Sequence, residues 1–355
     1  MKKSFFITSI LLVFFLSGCS VTMKTDEKQK EDINNLGIFK STNKGDTWTQ
    51  RVLMPTITGR PGTIGGKSVK FMVADPSDNN AFYLSTMGTG MFFTYDGAMS
   101  WYYVSGLGNI SPNGIAVDAN NKCQIYVSYT NKIMRTKDCS RTWEQIYYDS
   151  KPDVSVYGIV VDHFDSSIIY AGTSRGELIM SNNYGESWKT VARFKEGVAR
   201  VHMDPNDSRI IFIALIGGKG IYRTTDAGGT WTNLKESLKD FKKSDQVRDF
   251  TFVESQPGMI FLATFYGILK TEDYGDTWTD LELIPPDNNS RINGIAINND
   301  NPEEIFYTTH TTFYRSLDGG QTWKTIKLPS TASGVELLLD PKDSNIIYLG
   351  IRKIN

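Results

Sequence analysis

The stretch TEDYGDTW, residues 271–278, decides the fold because its pattern recurs along the chain. Each copy begins with Ser or Thr, and each of the seven Trp residues ends one copy. A catalytic cluster is normally unique within a chain, whereas recurrence every ~45 residues is typical of propellers and solenoids. The other copies are STNKGDTW (41–48), TYDGAMSW (94–101), TKDCSRTW (136–143), SNNYGESW (181–188), TTDAGGTW (224–231) and SLDGGQTW (316–323).

The residue types within each copy predict a tight turn between two strands. The third residue is Asp or Asn, whose short side chain accepts hydrogen bonds from nearby backbone N–H groups. The fifth is usually Gly, which permits a positive φ, but Ala98 and Ser140 take its place in two copies, where we expect distorted turns. The final Trp offers a large apolar surface to bury beside the next unit. We therefore predict structural roles for Asn43, Asp96, Asp138, Asn183, Asp226, Asp273 and Asp318, and for Trp48, Trp101, Trp143, Trp188, Trp231, Trp278 and Trp323.

This pattern, Ser/Thr-x-Asp-x-Gly-x-Thr/Ser-Trp, resembles the Asp-box, or BNR repeat. In the proteins that carry it, the Asp-box is the turn between the third and fourth strands of a propeller blade. The resemblance covers Leu36 to the C-terminus. It is specific for the fold but not for the function, because sialidases, xyloglucan-degrading glycosidases, sortilin-type receptors and photosystem II assembly factors all carry Asp-boxes.

A second phrase, an apolar strand, a polar turn and another apolar strand, also occurs seven times, as in GIVVDHFDSSIIYAGT (158–173). The chain starts with a hairpin of the first kind and ends with a hairpin of the second kind. We therefore predict an all-β fold for residues 36–355, a seven-bladed β-propeller of four-stranded blades. In this fold the N-terminal hairpin completes the C-terminal blade and closes the ring.

The N-terminus has the pattern of an export signal. Two Lys residues precede an apolar stretch, and LSGC (16–19) follows it. LSGC resembles the bacterial lipobox, which implies that residues 1–18 are a lipoprotein signal peptide and that Cys19 is lipidated. An ordinary signal peptide is the alternative. Residues 19–35 are polar and charged and are predicted to be a flexible tether. The chain is thus expected to be an exported bacterial lipoprotein, anchored in a membrane and facing the periplasm or the extracellular space.

Composition narrows the classes of ligand. The formal net charge of −1 gives no support for nucleic-acid binding. The three His residues are isolated, so we expect no metal site and no cofactor. Cys123 and Cys139 face each other across a predicted antiparallel hairpin, and an exported protein can oxidise them to a disulfide. Two unpaired thiols are the alternative.

The loops opposite the Asp-box turns vary between repeats and are expected to form the functional face. The longest are 53–68, 105–113, 147–157, 235–248 and 282–293. Four cations from different blades, Lys70, Arg200, Arg248 and Arg291, precede or begin the innermost strands. Together they could bind an anionic group. Alternatively, each pairs with a neighbour such as Asp249 or Glu336, or faces solvent. The aromatic residues on or next to the same face, which could stack on a sugar or a protein, are Tyr147, Tyr148, Tyr157, Phe241 and Tyr266.

Three functional classes remain open. A sialidase would carry a Phe-Arg-Ile-Pro motif ahead of the first box on six blades, whereas this chain has Gly-Arg-Pro (59–61) after the first box. A xyloglucanase-like enzyme uses two acids in a cleft between two propellers, whereas one propeller is predicted here, with acids such as Asp249 and Glu336 as candidates. The length, topology and anchor look most like the photosystem II stability/assembly factor family. That resemblance implies a monomeric, non-catalytic scaffold that binds a protein or glycan partner on the face opposite the Asp-boxes. Its contact with the membrane would be through the lipid anchor alone.

Overall fold

The computed structural model describes residues 35–284 and 291–354, and they form seven four-stranded antiparallel sheets and one two-stranded sheet. Four short strands precede the first complete blade: β1 (Gly37–Ser41), β2 (Thr49–Gln50), β3 (Leu53–Met54) and β4 (Gly62–Thr63). A 3-10 helix spans Ser105–Leu107.

Six blades follow in chain order, and each is built from four consecutive strands. Blade 1 contains β5 (Val69–Asp75), β6 (Asp78–Thr86), β7 (Met91–Thr94) and β8 (Tyr102–Tyr103). Blade 2 contains β9 (Gly114–Asp118), β10 (Asn121–Tyr129), β11 (Lys132–Thr136) and β12 (Glu144–Tyr148). Blade 3 contains β13 (Val156–Val161), β14 (Ile169–Thr173), β15 (Glu177–Ser181) and β16 (Lys189–Arg193). Blade 4 contains β17 (Val198–Met203), β18 (Ile211–Leu215), β19 (Ile221–Thr224) and β20 (Thr232–Asn233). Blade 5 contains β21 (Val247–Phe252), β22 (Ile260–Thr264), β23 (Ile268–Thr271) and β24 (Thr279–Asp280). Blade 6 contains β25 (Gly294–Ile297), β26 (Ile305–Thr308), β27 (Thr312–Ser316) and β28 (Lys324–Lys327).

Blade 7 joins the two ends of the chain. Its inner strands are β29 (Ser333–Leu339) and β30 (Ile347–Arg352), and its outer strands are β1 and β2. Strand β1 pairs with β30 in a register that places Gly37 opposite Ile351 and Ser41 opposite Ile347. The predicted all-β propeller of seven blades, closed by the N-terminal hairpin, is confirmed.

Burial changes across each blade as the propeller geometry requires. The second strand, such as β18 or β22, is buried at every residue because neighbouring blades cover both of its faces. The outermost strand, such as β16, exposes most of its side chains. Apolar clusters fill the spaces between blades, and one of them joins Tyr83 and Met91 of blade 1 to Ile115 and Ile125 of blade 2. The core is therefore a ring of interfaces between blades.

All seven repeated stretches form the same turn between the third and fourth strands of a blade. In the copy at 271–278, the Thr271 hydroxyl donates to Asp273 Oδ1 at 2.7 Å and accepts the Gly275 N–H at 2.9 Å. Asp273 Oδ1 also accepts the Thr277 N–H at 2.9 Å. The same three bonds recur in the other six copies. The repeated acids thus bind their own turn.

The expected distortion at Ala98 and Ser140 is wrong. Both residues adopt the positive φ that glycine has in the other copies, 66° and 68°. Their N–H groups keep the bond to the first hydroxyl of the turn, at 3.2 Å to Thr94 Oγ1 and 3.1 Å to Thr136 Oγ1. A single non-glycine residue in this region costs about 1–2 kcal/mol, which the surrounding hydrogen bonds offset.

Both kinds of turn lie on one face of the ring, here called the turn face. In every blade the N–H of the fourth residue of the repeated stretch donates to a carbonyl in the turn between the first two strands or at the start of the second strand. These bonds are Lys44 to Asn345, Gly97 to Asn80, Cys139 to Cys123, Tyr184 to Ser167, Ala227 to Arg209, Tyr274 to Gly258 and Gly319 to Glu303. In blade 2 the same two turns are also joined by a Cys123–Cys139 disulfide. The opposite side, here called the loop face, carries the variable loops.

A basic residue precedes the repeated stretch in five blades, and four of these residues bridge to the next blade. Arg135 and Arg223 donate to the carbonyls of Tyr184 and Tyr274, the latter at 2.8 Å. Arg315 and Lys40 make the same contact with the carbonyls of Lys44 and Gly97, at 2.9 and 3.3 Å. The fifth basic residue, Lys270, pairs with Glu272. These bridges were not predicted, although the repeated basic residue is visible in the sequence.

Candidate functional site

One position on the innermost strands carries a charged residue in three blades and an uncharged residue in the other four. It lies opposite or beside a small residue of the second strand, and an irregular register begins there in several blades. The equivalent residues in blades 1 to 7 are Phe71, Gly114, Gly158, Arg200, Asp249, Gly294 and Glu336. Only blades 4, 5 and 7 place a charge there.

Side chains at this position are directed towards the inner strand of the following blade. A Cβ built on Gly158 would lie 2.6 Å from Val201 N, and one built on Gly294 would lie 3.3 Å from Leu337 N. Larger side chains at the equivalent positions therefore interact across the blade boundary near the propeller axis. This geometry brings charges from separate repeats together, which the local sequence does not reveal.

Arg200 and Asp249 form an ion pair between blades 4 and 5. Arg200 Nη1 lies 3.2 Å from Asp249 Oδ1, and the Asp249 side chain is 21% exposed. Asp249 Oδ1 also accepts the Phe250 N–H at 3.1 Å. Burial raises the pKa of Asp249, although Arg200 and the backbone N–H groups of Phe250 and Ile295 favour its charged form. Of the alternatives given for Arg200, the structure therefore shows pairing with a neighbouring acid.

Glu336 is a second carboxyl at the same level of the propeller. Burial, followed by the nearby Asp249 carboxylate, raises the pKa of Glu336 to about 8. Arg200 and Arg352 oppose that shift, as does a hydrogen bond from the Met72 backbone. Glu336 is therefore mostly neutral at pH 7, and it does not cancel the cations around it.

Four cations from blades 5, 6, 7 and 1 form a set that we call the cationic rim: Lys70, Arg248, Arg291 and Arg352. Burial, followed by repulsion from Arg291, lowers the pKa of Arg248 to about 10. Burial lowers the pKa of Arg352 and of Lys70 as well, with smaller contributions from Arg291 and Arg352, respectively. Repulsion thus links Arg248 to Arg291, Arg291 to Arg352 and Arg352 to Lys70, across four neighbouring blades.

The rim cations form no ion pairs within the described residues, although Glu336 interacts favourably with Arg352. Among residues 35–284 and 291–354, no ion pair involves any of the four. Lys70 donates instead to the Pro112 carbonyl at 2.9 Å and to Asn113 Oδ1 at 2.7 Å. The Arg248 guanidinium stacks 3.8 Å from the Phe265 ring, and its buried Nε has no hydrogen-bond partner in the described part of the chain. An anionic group is the ligand that this set would stabilise.

Arg352 was missed because it lies near the end of the second strand of blade 7, opposite Ser333 at the start of β29. Second strands are antiparallel to innermost strands, so their last residues lie beside the starts of the innermost strands. A search for cations at both positions would have found Arg352.

The predicted aromatic residues do not converge on one site. Tyr147 packs against Trp188 with 5.6 Å between ring centroids, and Phe241 packs against Tyr266 at 5.4 Å. Tyr148 is 53% exposed, with Lys132 Nζ 5.9 Å from its ring. They serve mainly as packing between strands and loops.

The remaining predicted residues fall into two groups. Residues 1–18 and Cys19 lie outside the described residues, as does almost all of the tether.

His163, His202 and His310 lie in separate blades, and burial lowers the pKa of His202 to about 3. No group of His, Cys, Asp and Glu in the described ranges could hold a metal ion. Within those same ranges, no helix is long and apolar enough to cross a membrane.

The fold and the axial charges define a class, a seven-bladed β-propeller with a cationic rim beside two partly buried acids, Asp249 and Glu336. No family model matches the chain. It is 26% identical over 250 residues to the xyloglucanase Xgh74A of Acetivibrio thermocellus, a match that covers 57% of this chain and 29% of the enzyme. It is 24% identical over 328 residues to a xyloglucanase of a Paenibacillus species, covering 74% of this chain and 31% of the enzyme. The chain thus spans about a third of the length of these relatives.

Solved structures share the propeller fold. The GH74 xyloglucanase from Xanthomonas campestris superposes with a TM-score of 0.64 at 16% identity, over 81% of this chain and 51% of that one. YCF48 bound to a D1 peptide also gives a TM-score of 0.64, at 15% identity, over 84% of this chain and 95% of that one. YCF48 from Cyanidioschyzon merolae gives 0.62 at 14% identity, over 84% and 98% of the two chains. The chain therefore resembles both groups in fold, and the match covers nearly the whole length of YCF48.

Proposed function

We propose that this chain is a non-catalytic binding protein whose cationic rim holds an anionic segment of a protein partner. The carrying observation is that no ion pair among the described residues involves Lys70, Arg248, Arg291 or Arg352, whereas neighbouring members of this set repel one another. A bound carboxylate would relieve that repulsion and accept bidentate hydrogen bonds from arginine. The similarity to YCF48, one structure of which holds a D1 peptide, supports a peptide ligand.

Binding of a defined acidic peptide tests the proposal. The probe is a fluorescein-labelled hexapeptide of alternating Glu and Ala with a free C-terminal carboxylate, and its Gln-for-Glu amide counterpart is the ligand control. We expect saturable binding of the acidic probe, weakening as salt is added. Arg248→Gln and Arg291→Gln should each weaken binding about tenfold, equivalent to ~1.4 kcal/mol.

Arg209→Gln is the matched protein control. Arg209 is exposed, lies on the turn face and pairs with Asp207 at 2.7 Å, so its loss should leave binding unchanged. Equal affinity for the acidic and amide peptides, or equal effects of Arg209→Gln and Arg248→Gln, would contradict the proposal.

The same proposal includes anchoring through lipid at Cys19. The LSGC stretch supports it, and the polar tether would hold the propeller away from the membrane. In cells, the protein should fractionate with membranes, and Cys19→Ser should release it into the soluble fraction. Equal membrane retention of the wild type and the Ser variant would contradict lipidation at this position.

Glycoside hydrolysis is the second candidate, favoured by the two partly buried acids Asp249 and Glu336. Glu336 has a pKa of about 8, suitable for a general acid, and Asp249 interacts with it electrostatically. The local similarity to xyloglucanases points to the same chemistry. Release of reducing ends from xyloglucan, abolished by Glu336→Gln and by Asp249→Asn, would support this function. The Arg248→Gln variant separates the two candidates because it should lose peptide binding and keep both carboxyls.

A further inference from the structure

The boundary between blades 1 and 2 departs from the repeated architecture. Blades 2, 4, 6 and 7 send a basic side chain to the turn of the following blade, whereas Lys270 of blade 5 pairs with Glu272 of its own blade and blade 1 has Phe93 at that position. Blade 3 has Met180 there, and the Tyr170 hydroxyl supplies the missing contact by donating to the Ala227 carbonyl at 3.0 Å. In blade 1 the equivalent tyrosine, Tyr83, has its hydroxyl 3.4 Å from that of Tyr95 instead.

A cavity of about 500 Å³ occupies the unbridged boundary, within the ~300–1,000 Å³ usual for small-molecule sites. We call it the blade 1–2 cleft. Blade 1 contributes mainly aromatic rings to its wall, and blade 2 contributes the turn that holds the disulfide. Its principal lining residues are Asp78, Phe93, Tyr95, Tyr103, Lys122 and Arg141.

The aromatic wall is preorganised and accessible. Phe93 and Tyr95 contact each other with ring centroids 5.0 Å apart, and Tyr103 also lines the cleft. Tyr102, which is outside the cleft lining, supports Phe93 by stacking on it at 5.6 Å and 26°. Tyr95 is 42% exposed. Exposed rings held by neighbouring rings provide flat apolar surfaces at little entropic cost on binding.

The polar groups around these rings have both signs of charge. Lys122 Nζ lies 3.5 Å from Asp78 Oδ2, a pair that crosses from blade 2 to blade 1. Arg141 adds a donor, and the Ser140 hydroxyl at the wall is buried without a hydrogen-bond partner in the described chain. The cleft thus combines a flat apolar surface with several donors and acceptors and only a small excess of positive charge.

We propose that the blade 1–2 cleft binds a neutral saccharide. A pyranose ring has an apolar face of C–H groups that packs on an aromatic ring, and its rim of hydroxyls both donates and accepts hydrogen bonds. This matches rings flanked by an acid, an amine and a guanidinium. The site is separate from the cationic rim because it involves the third and fourth strands of blade 1 and the turn face of blade 2.

The test fills the cleft by introducing at Phe93 the arginine that bridges adjacent blades elsewhere in the protein. Phe93→Arg places at this position the residue found in blades 2, 4 and 6, and the new guanidinium should donate to the Cys139 carbonyl, as Arg223 does to the Tyr274 carbonyl. Met180→Arg is the matched control because it adds the same charge at the same position of blade 3. Calorimetric titration with cellohexaose and with xylohexaose should show saturable binding to the wild type and to Met180→Arg, and at least roughly tenfold weaker binding to Phe93→Arg.

Tyr95→Ala gives a second, independent variant, since Tyr95 is partly exposed and its loss should not prevent folding. It should weaken saccharide binding and leave the melting temperature within a few degrees of the wild type. Failure of both hexasaccharides to bind would overturn the proposal, as would equal binding to the wild type, Phe93→Arg and Tyr95→Ala. Binding lost only on Arg248→Gln would place the saccharide at the cationic rim and would also overturn it.

Discussion

Arg200 and Asp249 connect the innermost strands of adjacent blades, with Nη1 and Oδ1 3.2 Å apart. Each comes from the same position of its own repeat, so the pair exists only because two successive blades carry opposite charges there. Burial raises the pKa of Asp249, and the contact with Arg200 opposes that shift. Because Asp249 pairs with Arg200, none of the rim cations has Asp249 as an ion-pair partner.

We predict that Arg200→Met destabilises the protein by about 1–3 kcal/mol, because it leaves a largely buried carboxylate without its cation. Arg200→Met combined with Asp249→Asn should recover most of that loss, since neither charge remains. Urea unfolding of the two single variants and the double variant measures the coupling. A double variant no more stable than Arg200→Met would show that the ion pair is not the cause.

Glu336 should make stability depend on pH. Its pKa rises from 4.5 in the free amino acid side chain to about 8 on folding, so the folded chain retains a proton that the unfolded chain has lost. Its contribution is fully present below about pH 4.5 and is lost as pH rises through about 8. Relative to Glu336→Gln, the wild type should lose stability between pH 5 and pH 8 in urea unfolding.

Asp318→Asn is the control for this pH effect. Hydrogen bonds from the Thr322 hydroxyl and N–H lower the pKa of Asp318 from 3.8 to about 2. Its contribution is present above the higher value and is lost as pH falls through the lower one. The difference between the wild type and Asp318→Asn should therefore be constant from pH 5 to pH 8. A similar constant difference for Glu336→Gln would contradict the raised pKa.

The bridges between blades should contribute to stability. Arg135 has a 5% exposed side chain, pairs with Glu144 at 2.7 Å and donates to the Tyr184 carbonyl of the next blade. Arg135→Met should cost about 1–3 kcal/mol because it leaves the Tyr184 carbonyl without its donor, whereas the exposed Glu144 keeps Lys137 as a partner. Arg209→Met removes a pair in which the arginine is 70% exposed, and it should cost less than ~1 kcal/mol. Equal losses in chemical unfolding would show that Arg135 does not stabilise the blade boundary.

Two turn glycines separate the cost of backbone conformation from the cost of packing. Gly45 and Gly228 have φ values of 87° and 93°, so alanine is strained at both. A Cβ on Gly45 would lie 2.3 Å from Phe313 Cε1, whereas one on Gly228 would lie no closer than 3.8 Å to any neighbour. Gly45→Ala should lower stability by about 1–3 kcal/mol more than Gly228→Ala, through overpacking alone. Equal melting temperatures would contradict this packing difference.

The fold could be predicted from sequence because the propeller repeats its local structure. Each turn has its own hydrogen-bonding residues, and the order of the two hairpin types requires a blade divided between the chain ends. The distortion predicted at Ala98 and Ser140 failed because the turn's hydroxyl and carboxyl groups hold the backbone even without glycine.

The site was only partly accessible to the same reasoning. Lys70, Arg248 and Arg291 were recognised as cations at the starts of innermost strands, but Arg352 belongs to the end of a second strand. The Arg200–Asp249 pair depends on the side-chain direction at one strand position, and that direction depends on the approach of two blades. The blade 1–2 cleft depends on the absence at Phe93 of a contact that other blades make. Such contacts join repeats that are separate in the sequence.

The pairing of β1 with β30 also sets an order of events during synthesis. Ser41 of β1 pairs with Ile347 of β30. The outer strands of blade 7 are therefore synthesised before the other six blades, whereas their partner strands are synthesised after them. At ~5–20 residues per second, that interval is on the order of tens of seconds. Six blades can form from consecutive strands in the meantime, but the ring can close only in the last step. Among the described strands, the most non-local pairing is therefore also the latest, and until then β1 has an edge open to other partners.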